Sequence, residues 1–131
     1  MKTILIADDD PPSAELLCEF LTLFGYRVTM AADGAQAVQM LGEIIPDLIL
    51  LDIQMPVLDG FAVLGWVRGQ PRLSRVPVAA VTACAIREDR ERILKAGFDA
   101  FIPKPLDRVS LAAQVAGLLG RGTTEEMLER P

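Results

Sequence analysis

LILLD, residues 48–52, is a run of four large apolar residues that ends in a carboxylate. Three further short apolar runs also end at polar residues, namely residues 3–7 before Asp8 and Asp9, residues 78–81 before Thr82, and residues 101–103 before Lys104. Runs of this length, bounded by turn residues and alternating with helical patterns, are typical of buried parallel strands. The sequence therefore predicts an α/β fold built on a parallel sheet.

The polar residues that end these runs are a set of complementary charges. In an open α/β sheet the reactive groups gather at the carboxyl ends of the strands, so we expect all five side chains at one edge. The set contains three carboxylates, one hydroxyl and one ammonium, with a formal charge of −3 + 1 = −2. A divalent cation would neutralise that charge, and a phosphoryl group could then approach. This edge of the sheet is the predicted functional site.

Length and composition describe a single globular domain. The chain has 131 residues, of which 51% are hydrophobic and 24% are charged, which is enough to bury a core. Its net charge of −5 argues against a nucleic-acid surface, which needs basic patches to neutralise phosphates. No apolar run approaches the roughly 20 residues of a membrane span, so no membrane contact is expected.

The histidine and cysteine contents exclude several kinds of site. The chain has no histidine, which excludes histidine-based triads, zinc sites built on histidine, and a phosphohistidine on this chain. Cys18 and Cys84 do not have the spacing of a metal motif, and a reducing cytoplasm is the simplest expectation. Because Met1 and Lys2 lead straight into the first apolar run, no signal peptide is expected.

Helical patterns separate the strands into five βα units. The predicted strands cover about residues 3–8, 27–31, 48–52, 78–82 and 100–102, and the predicted helices about residues 11–24, 34–42, 60–68, 87–96 and 111–119. Asp10 and Asp59 are placed to cap the first and third helices. This order predicts a doubly wound, five-stranded parallel sheet with helices on both faces. Residues 120–131 are polar and contain glycine, so we expect a mobile tail. Thr123 and Glu126 could instead form a capping box for a short terminal helix.

Four motifs, in this order along the chain, resemble those of the receiver domain of bacterial two-component response regulators. They are the acidic pair Asp8-Asp9, the segment LLDIQMP of residues 50–56 followed by Asp59-Gly60, the segment Val81-Thr82-Ala83, and Lys104-Pro105. Each motif lies at the end of a predicted strand. The resemblance covers residues 2–119 and implies a receiver domain at residues 1–119 with a flavodoxin-like (βα)5 fold in strand order 2-1-3-4-5.

The resemblance also gives a role to each carboxylate of the acidic cluster, which is defined here as Asp8, Asp9 and Asp52. It makes Asp52 the phosphoacceptor, a nucleophile that forms an acyl phosphate. Mg²⁺ takes oxygen ligands and usually only one or two carboxylates. The resemblance implies that Asp9 and Asp52 bind Mg²⁺ directly, Asp8 binds it through water, and the Gln54 backbone carbonyl supplies another oxygen. Judged without the resemblance, these aspartates could be ordinary loop or helix-capping acids.

Three further residues have implied roles beside the phosphoacceptor. The Thr82 hydroxyl would hydrogen-bond the phosphoryl group, and Lys104 would pair with it, with a cis peptide bond between Lys104 and Pro105. Phe101 would be the aromatic switch that moves inward after phosphorylation. The ordinary alternatives are a β-branched strand residue, a solvated surface lysine and a core aromatic.

The implied function is a phosphorylation-dependent signalling switch rather than an enzyme. A sensor histidine kinase or a histidine phosphotransfer protein would supply the phosphoryl group from a phosphohistidine. Asp52 would hold the group until autodephosphorylation, and output would pass by contact with a downstream protein. The start at Met1 favours a stand-alone bacterial regulator.

Three other functions remain as alternatives. A phosphatase or mutase of the haloacid dehalogenase type would need a second acid two residues after its nucleophile, where this chain has Gln54. A phosphorylation-independent adaptor would have a decayed site, which the intact set of polar residues opposes. The chain could also be a receiver module of a hybrid kinase.

Overall fold

The computed structural model describes residues 1–83 and 87–129, without the side chains of residues 87, 88 and 121–129. Within this part of the chain five parallel strands form one sheet, β1 (Thr3–Ala7), β2 (Arg27–Ala31), β3 (Leu48–Asp52), β4 (Val78–Thr82) and β5 (Ala100–Pro103). Their order is β2-β1-β3-β4-β5. The helices that alternate with them are α1 (Pro11–Leu23), α2 (Gly34–Leu41), α3 (Gly60–Arg68), α4 (Arg87–Ala96) and α5 (Arg108–Glu129). The predicted flavodoxin-like fold is confirmed.

The central strands β3 and β4 are buried along their whole length. Helices cover both faces of the sheet, so these strands can be apolar without alternation. The edge strand β2 is more exposed and mixes polar with apolar residues. This difference explains why β3 and β4 are continuous apolar runs in the sequence, whereas β2 is not.

Successive side chains of each strand point to opposite faces of the sheet and so build two hydrophobic cores. On β3, Ile49 and Leu51 pack in a core with α2, α3 and α4. Leu48 and Leu50 pack on the other face with α1 and α5. Burying each such side chain contributes about 1.5–3 kcal/mol. The strand ends are therefore held between two packed layers.

Four helices begin after an aspartate whose side chain accepts a hydrogen bond from the first turn. The acceptor–donor pairs are Asp10 with Ser13 N at 3.3 Å, Asp33 with Gln36 N at 2.7 Å, Asp59 with Ala62 N at 2.9 Å, and Asp107 with Ser110 N at 3.0 Å. Such caps satisfy backbone N–H groups that have no partner within the helix. The predicted caps at Asp10 and Asp59 are confirmed, and Asp33 and Asp107 add two more.

Helix α5 is longer than the sequence predicted. It continues past Leu119 to Glu129, so Thr123 lies inside a helix and does not begin a separate one. The side chains of the proposed capping box lie outside the described residues, as does Cys84. The mobility of residues 120–131 stays a prediction.

Candidate functional site

Four strands bring the predicted polar side chains to one edge of the sheet. Asp8 and Asp9 follow β1, and Asp52 is the last residue of β3. Thr82 is the last residue of β4, and Lys104 follows β5. The parallel register pairs the last residue of β3 with β4, and the last residue of β4 with the last residue of β5. Neighbouring strands therefore end at the same level, and the side chains that follow them meet.

The acidic cluster forms at the centre of this edge. One carboxylate oxygen from each of Asp8, Asp9 and Asp52 lies within 4.8 Å of the others. Asp8 and Asp52 are buried, at 3% and 8% exposure, whereas Asp9 is exposed. Carboxylate oxygens are the ligands that Mg²⁺ prefers, and a cation held beside the exposed Asp9 would keep access to water. The donor set therefore fits a hydrated divalent cation.

Lys104 lies against the two buried carboxylates. Its Nζ is 3.1 Å from Asp8 Oδ2 and 3.4 Å from Asp52 Oδ2. Its backbone N–H donates to the Thr82 carbonyl at 2.9 Å, which fixes where the side chain starts. The peptide bond between Lys104 and Pro105 is cis. The Lys104 ammonium thus bridges the ends of β1 and β3.

The charges of the site shift one another's protonation. Burial raises the pKa of Asp52 from 3.8 to about 6, although Lys104 opposes the shift and the charge of Asp8 adds to it. Burial disfavours the charged form of Lys104, yet its hydrogen bond to Asp8 and its attraction to both carboxylates raise its pKa above 10.5. At neutral pH the lysine is charged and most Asp52 side chains are ionised.

Backbone N–H groups hold the carboxylates in place. Asp8 Oδ1 accepts from Asp10 N at 2.9 Å, and Asp52 Oδ1 accepts from Gln54 N at 3.2 Å. In each residue, one oxygen is bound to the backbone while Oδ2 faces Lys104. Gln54 therefore lies at the rim of the site, where its role as a carbonyl ligand stays a prediction.

Thr82 and Phe101 lie on the same face of the sheet. Thr82 is 1% exposed at the end of β4, and Phe101 pairs with Ala80 two residues earlier on that strand. The Phe101 ring packs at the edge of the core that contains α4. The guanidinium of Arg90 lies 5.4 Å from the ring centre. Sequence analysis did not find Arg90, because a charged helix gives no sign of which ring its arginine will cover.

The family model for the response regulator receiver domain matches residues 4–116 of this sequence. The chain belongs to the response regulator receiver domain family. The recognition made from four strand-end motifs is therefore confirmed, and with it membership of a family of two-component signalling switches. The match covers all the polar residues of the site.

Relatives of this receiver domain cover most of its length. The polar-differentiation response regulator DivK of Brucella anthropi is 34% identical over 119 residues, which cover 91% of this chain and 97% of DivK. The solved receiver domain of the sensor histidine kinase PA1611 from Pseudomonas aeruginosa is 38% identical, with a TM-score of 0.84, and covers 91% of this chain and 98% of that one. That structure has a magnesium ion coordinated in its active site cleft.

Other expectations remain open after these comparisons. The roles of individual residues in this receiver domain stay predictions, as do its boundary at residue 119, its phosphoryl donor, its bacterial origin and its place in the cytoplasm. None of the helices in the described part of the chain is long and apolar enough to cross a bilayer.

Proposed function

We propose that this receiver domain is a phosphorylation-dependent switch in which Asp52 accepts a phosphoryl group from a phosphohistidine on a partner protein. The observation that supports this best is the bridging position of Lys104, 3.1 Å from Asp8 and 3.4 Å from Asp52. A charged lysine between two carboxylates can turn to a phosphoryl oxygen once one carboxylate becomes an acyl phosphate. A purely structural ion pair would need only one carboxylate.

The transfer step uses Asp52 as the nucleophile. One of its carboxylate oxygens attacks the phosphorus, and an O–P bond forms as the P–N bond to the partner's imidazole breaks. The electron pair of that bond stays on the imidazole nitrogen, which takes up a proton. The product is a mixed anhydride of Asp52 and phosphate. With a pKa of about 6, Asp52 is available as the ionised nucleophile at neutral pH.

Thr82 and Lys104 would stabilise the transferred group. The ammonium of Lys104 would form a charge-assisted hydrogen bond with one phosphoryl oxygen, and the Thr82 hydroxyl would donate to another. Thr82 is buried, so its hydrogen bond would act where water does not compete strongly.

The acidic cluster would hold Mg²⁺ during this step. Asp9 and Asp52 would bind it directly and Asp8 through water, and the backbone carbonyl of Gln54 would complete the protein ligands. When bound, the ion compensates the negative charge that the phosphoryl group brings to three carboxylates. The PA1611 receiver domain, with its coordinated magnesium ion, supports this part of the proposal.

The output would be a change in the conformation of the α4–β5–α5 face. Thr82 would be drawn to the phosphoryl group, and Phe101 would move into the space that it leaves. The α4–β5–α5 face would then bind a downstream protein, while a sensor kinase or a histidine phosphotransfer protein would serve as donor. No small-molecule substrate is required.

Acetyl phosphate provides a test of the phosphoacceptor. The protein is incubated with acetyl phosphate and Mg²⁺, and the adduct is mapped by mass spectrometry. We expect one phosphoryl group on Asp52 in the wild type and in the control Glu43→Gln, an exposed acid remote from the site. Asp52→Asn should acquire none. Uptake by Asp52→Asn at the wild-type rate would show that the assignment is wrong.

A second version of this function places the receiver domain within a hybrid kinase. The 38% identity to the receiver domain of the sensor histidine kinase PA1611 favours it. Immunoblotting of the native protein in its source cells distinguishes the two versions, because a kinase would be several times larger than 14.2 kDa. The chemistry at Asp52 is the same in both.

A further inference from the structure

The loop between β3 and α3, residues 53–59, has a strained backbone. Val57 has a φ of 69°, in the left-handed region that a β-branched residue rarely adopts. The Leu58 N–H donates to the Pro56 carbonyl at 2.8 Å, which closes a γ-turn around Val57. The Val57 side chain is 95% exposed, so its own packing does not offset the strain. Contacts elsewhere must hold the loop in this shape.

The first residue of α3 holds the base of the loop. Gly60 N–H donates to the Ile53 carbonyl at 3.0 Å. A Cβ at Gly60 would lie 2.6 Å from the Asp52 carbonyl oxygen, closer than real Cβ atoms come. The helix thus begins directly against the backbone of the proposed phosphoacceptor.

The first residue of α2 holds the other end of the loop. A Cβ at Gly34 would overlap the Leu58 carbonyl oxygen and lie 2.8 Å from the Leu58 Cβ. Gly34 is helical and has no positive φ, so its backbone would accept any L-residue. The close approach of Leu58 is therefore what requires glycine here.

Leu58 links this contact to the site. Its side chain packs at the edge of the core beneath the loop, and Gly34 lets its backbone reach α2 at the same time. The loop then returns to the site through Gln54, whose N–H donates to Asp52 Oδ1 at 3.2 Å. A continuous series of backbone contacts therefore connects α2 to the acidic cluster, although α2 contributes no side chain to that cluster.

We propose that Gly34 is a positioning residue for the cation and phosphoryl site. By letting Leu58 lie against α2, it keeps the strained loop bent and sets the distance between the Gln54 backbone and Asp52. A side chain at position 34 pushes Leu58 outward, moves Gln54 and weakens cation binding. The proposal rests on the function proposed above, because it concerns the same site.

The test compares Gly34→Ala with two controls. Gly65→Ala also adds a methyl group to a helix, at a position where a Cβ meets nothing within 4 Å. Val115→Ala removes a buried methyl pair on the opposite face of the sheet, and so matches a loss of stability without touching the loop. Each protein is titrated with Mg²⁺ while Trp66 fluorescence and the amide NMR signals are followed.

In Gly34→Ala we expect shifted amide signals for Gln54, Val57 and Leu58 before any cation is added. We also expect about tenfold weaker Mg²⁺ binding, the size seen when residues that support metal ligands are changed. Gly65→Ala and Val115→Ala should bind Mg²⁺ as the wild type does. Equal affinity in Gly34→Ala and wild type would overturn the proposal.

A second variant guards against a Gly34→Ala protein that does not fold. Leu58→Ala leaves Gly34 intact but frees the loop from the core, and it should weaken Mg²⁺ binding in the same direction. An unchanged affinity in Leu58→Ala would overturn the proposal on its own. A wild-type protein that takes no Mg²⁺ would overturn the proposed function and this proposal together, which is a distinguishable result.

Discussion

At the scale of single residues, the burial of the Asp52 carboxylate has a cost in stability. Its pKa rises from 3.8 to about 6 on folding, so the folded protein holds the proton more tightly than the unfolded chain. The stability that this proton contributes is complete below about pH 4 and is lost as the pH rises through 6. At pH 7 the ionised form is therefore less stable than a neutral one.

Asp52→Asn should remove that cost. A rise of the Asp52 pKa from 3.8 to about 6 corresponds to roughly 3 kcal/mol, so we expect the variant to be up to about 3 kcal/mol more stable at pH 7. The difference should shrink towards zero near pH 4, where the wild type is also neutral at this position. Urea unfolding in EDTA at both pH values measures it. A stability gain in the control Glu43→Gln, or equal gains at both pH values, would contradict this explanation.

The strain at Val57 gives a second residue-scale expectation. Asparagine tolerates the left-handed conformation better than valine, so Val57→Asn should stabilise the protein by about 1 kcal/mol. Val109→Asn is the matched control, because Val109 is 74% exposed in a helix, where the two residues have similar propensity. Thermal unfolding of the three proteins decides the matter. If both substitutions change stability equally, backbone strain at Val57 is not the cause.

At the scale of elements, α4 has fewer buried side chains than any other helix in the described part of the chain. Among its described side chains only Ile93 is buried. Arg90 and Arg92 lie over the rings of Phe101 and Phe61, at 5.4 and 4.6 Å from the ring centres. Such contacts are worth about 0.5–1 kcal/mol each at exposed sites. Rearranging α4 therefore costs little core packing.

The end of α4 is fixed more firmly than its middle. Gly97, which follows the helix, accepts a hydrogen bond from Arg68 at 3.1 Å, and the same guanidinium pairs with Asp99 at 2.8 Å. With beryllofluoride as a phosphoryl mimic, we expect amide exchange to change in α4 and β5, and least beside Gly97. Hydrogen-exchange mass spectrometry with and without the mimic measures this. Changes confined to α1 and α2 would contradict it.

The sequence predicted elements better than contacts between them. Strand β3 and the cap at Asp59 could be identified because run length, turn residues and capping chemistry are local properties. The contact of Arg90 with the Phe101 ring could not be predicted, because it depends on how α4 packs on the sheet. The raised pKa of Asp52 was equally hidden, since it follows from burial depth. The predicted end of α5 at residue 119 was wrong, because a polar sequence is compatible with both a solvated helix and an irregular tail.

At the scale of the whole molecule, two layers of helices cover the faces of the sheet, and the acidic cluster lies at the carboxyl ends of its strands. The acidic cluster and Lys104 lie at that edge, whereas β4 leads from Thr82 back into the core beside Phe101. A change of charge at the edge can therefore reach the α4–β5–α5 face through one strand pair. Under the proposed function, this strand pair would connect phosphorylation at the edge to a protein-binding surface.

The net charge of −5 of the whole chain opposes binding to a polyanion. A polyanion would be repelled, so we expect no binding to duplex DNA at 150 mM salt, with or without beryllofluoride. A purified histidine phosphotransfer domain or kinase partner should bind the beryllofluoride-loaded wild type more tightly than Asp52→Asn under the same treatment. Gel-shift and calorimetric titrations measure the two affinities. Salt-resistant, sequence-specific DNA binding by the 131-residue chain would refute output by protein contact. Equal affinity of the wild type and Asp52→Asn for the partner would favour the phosphorylation-independent adaptor.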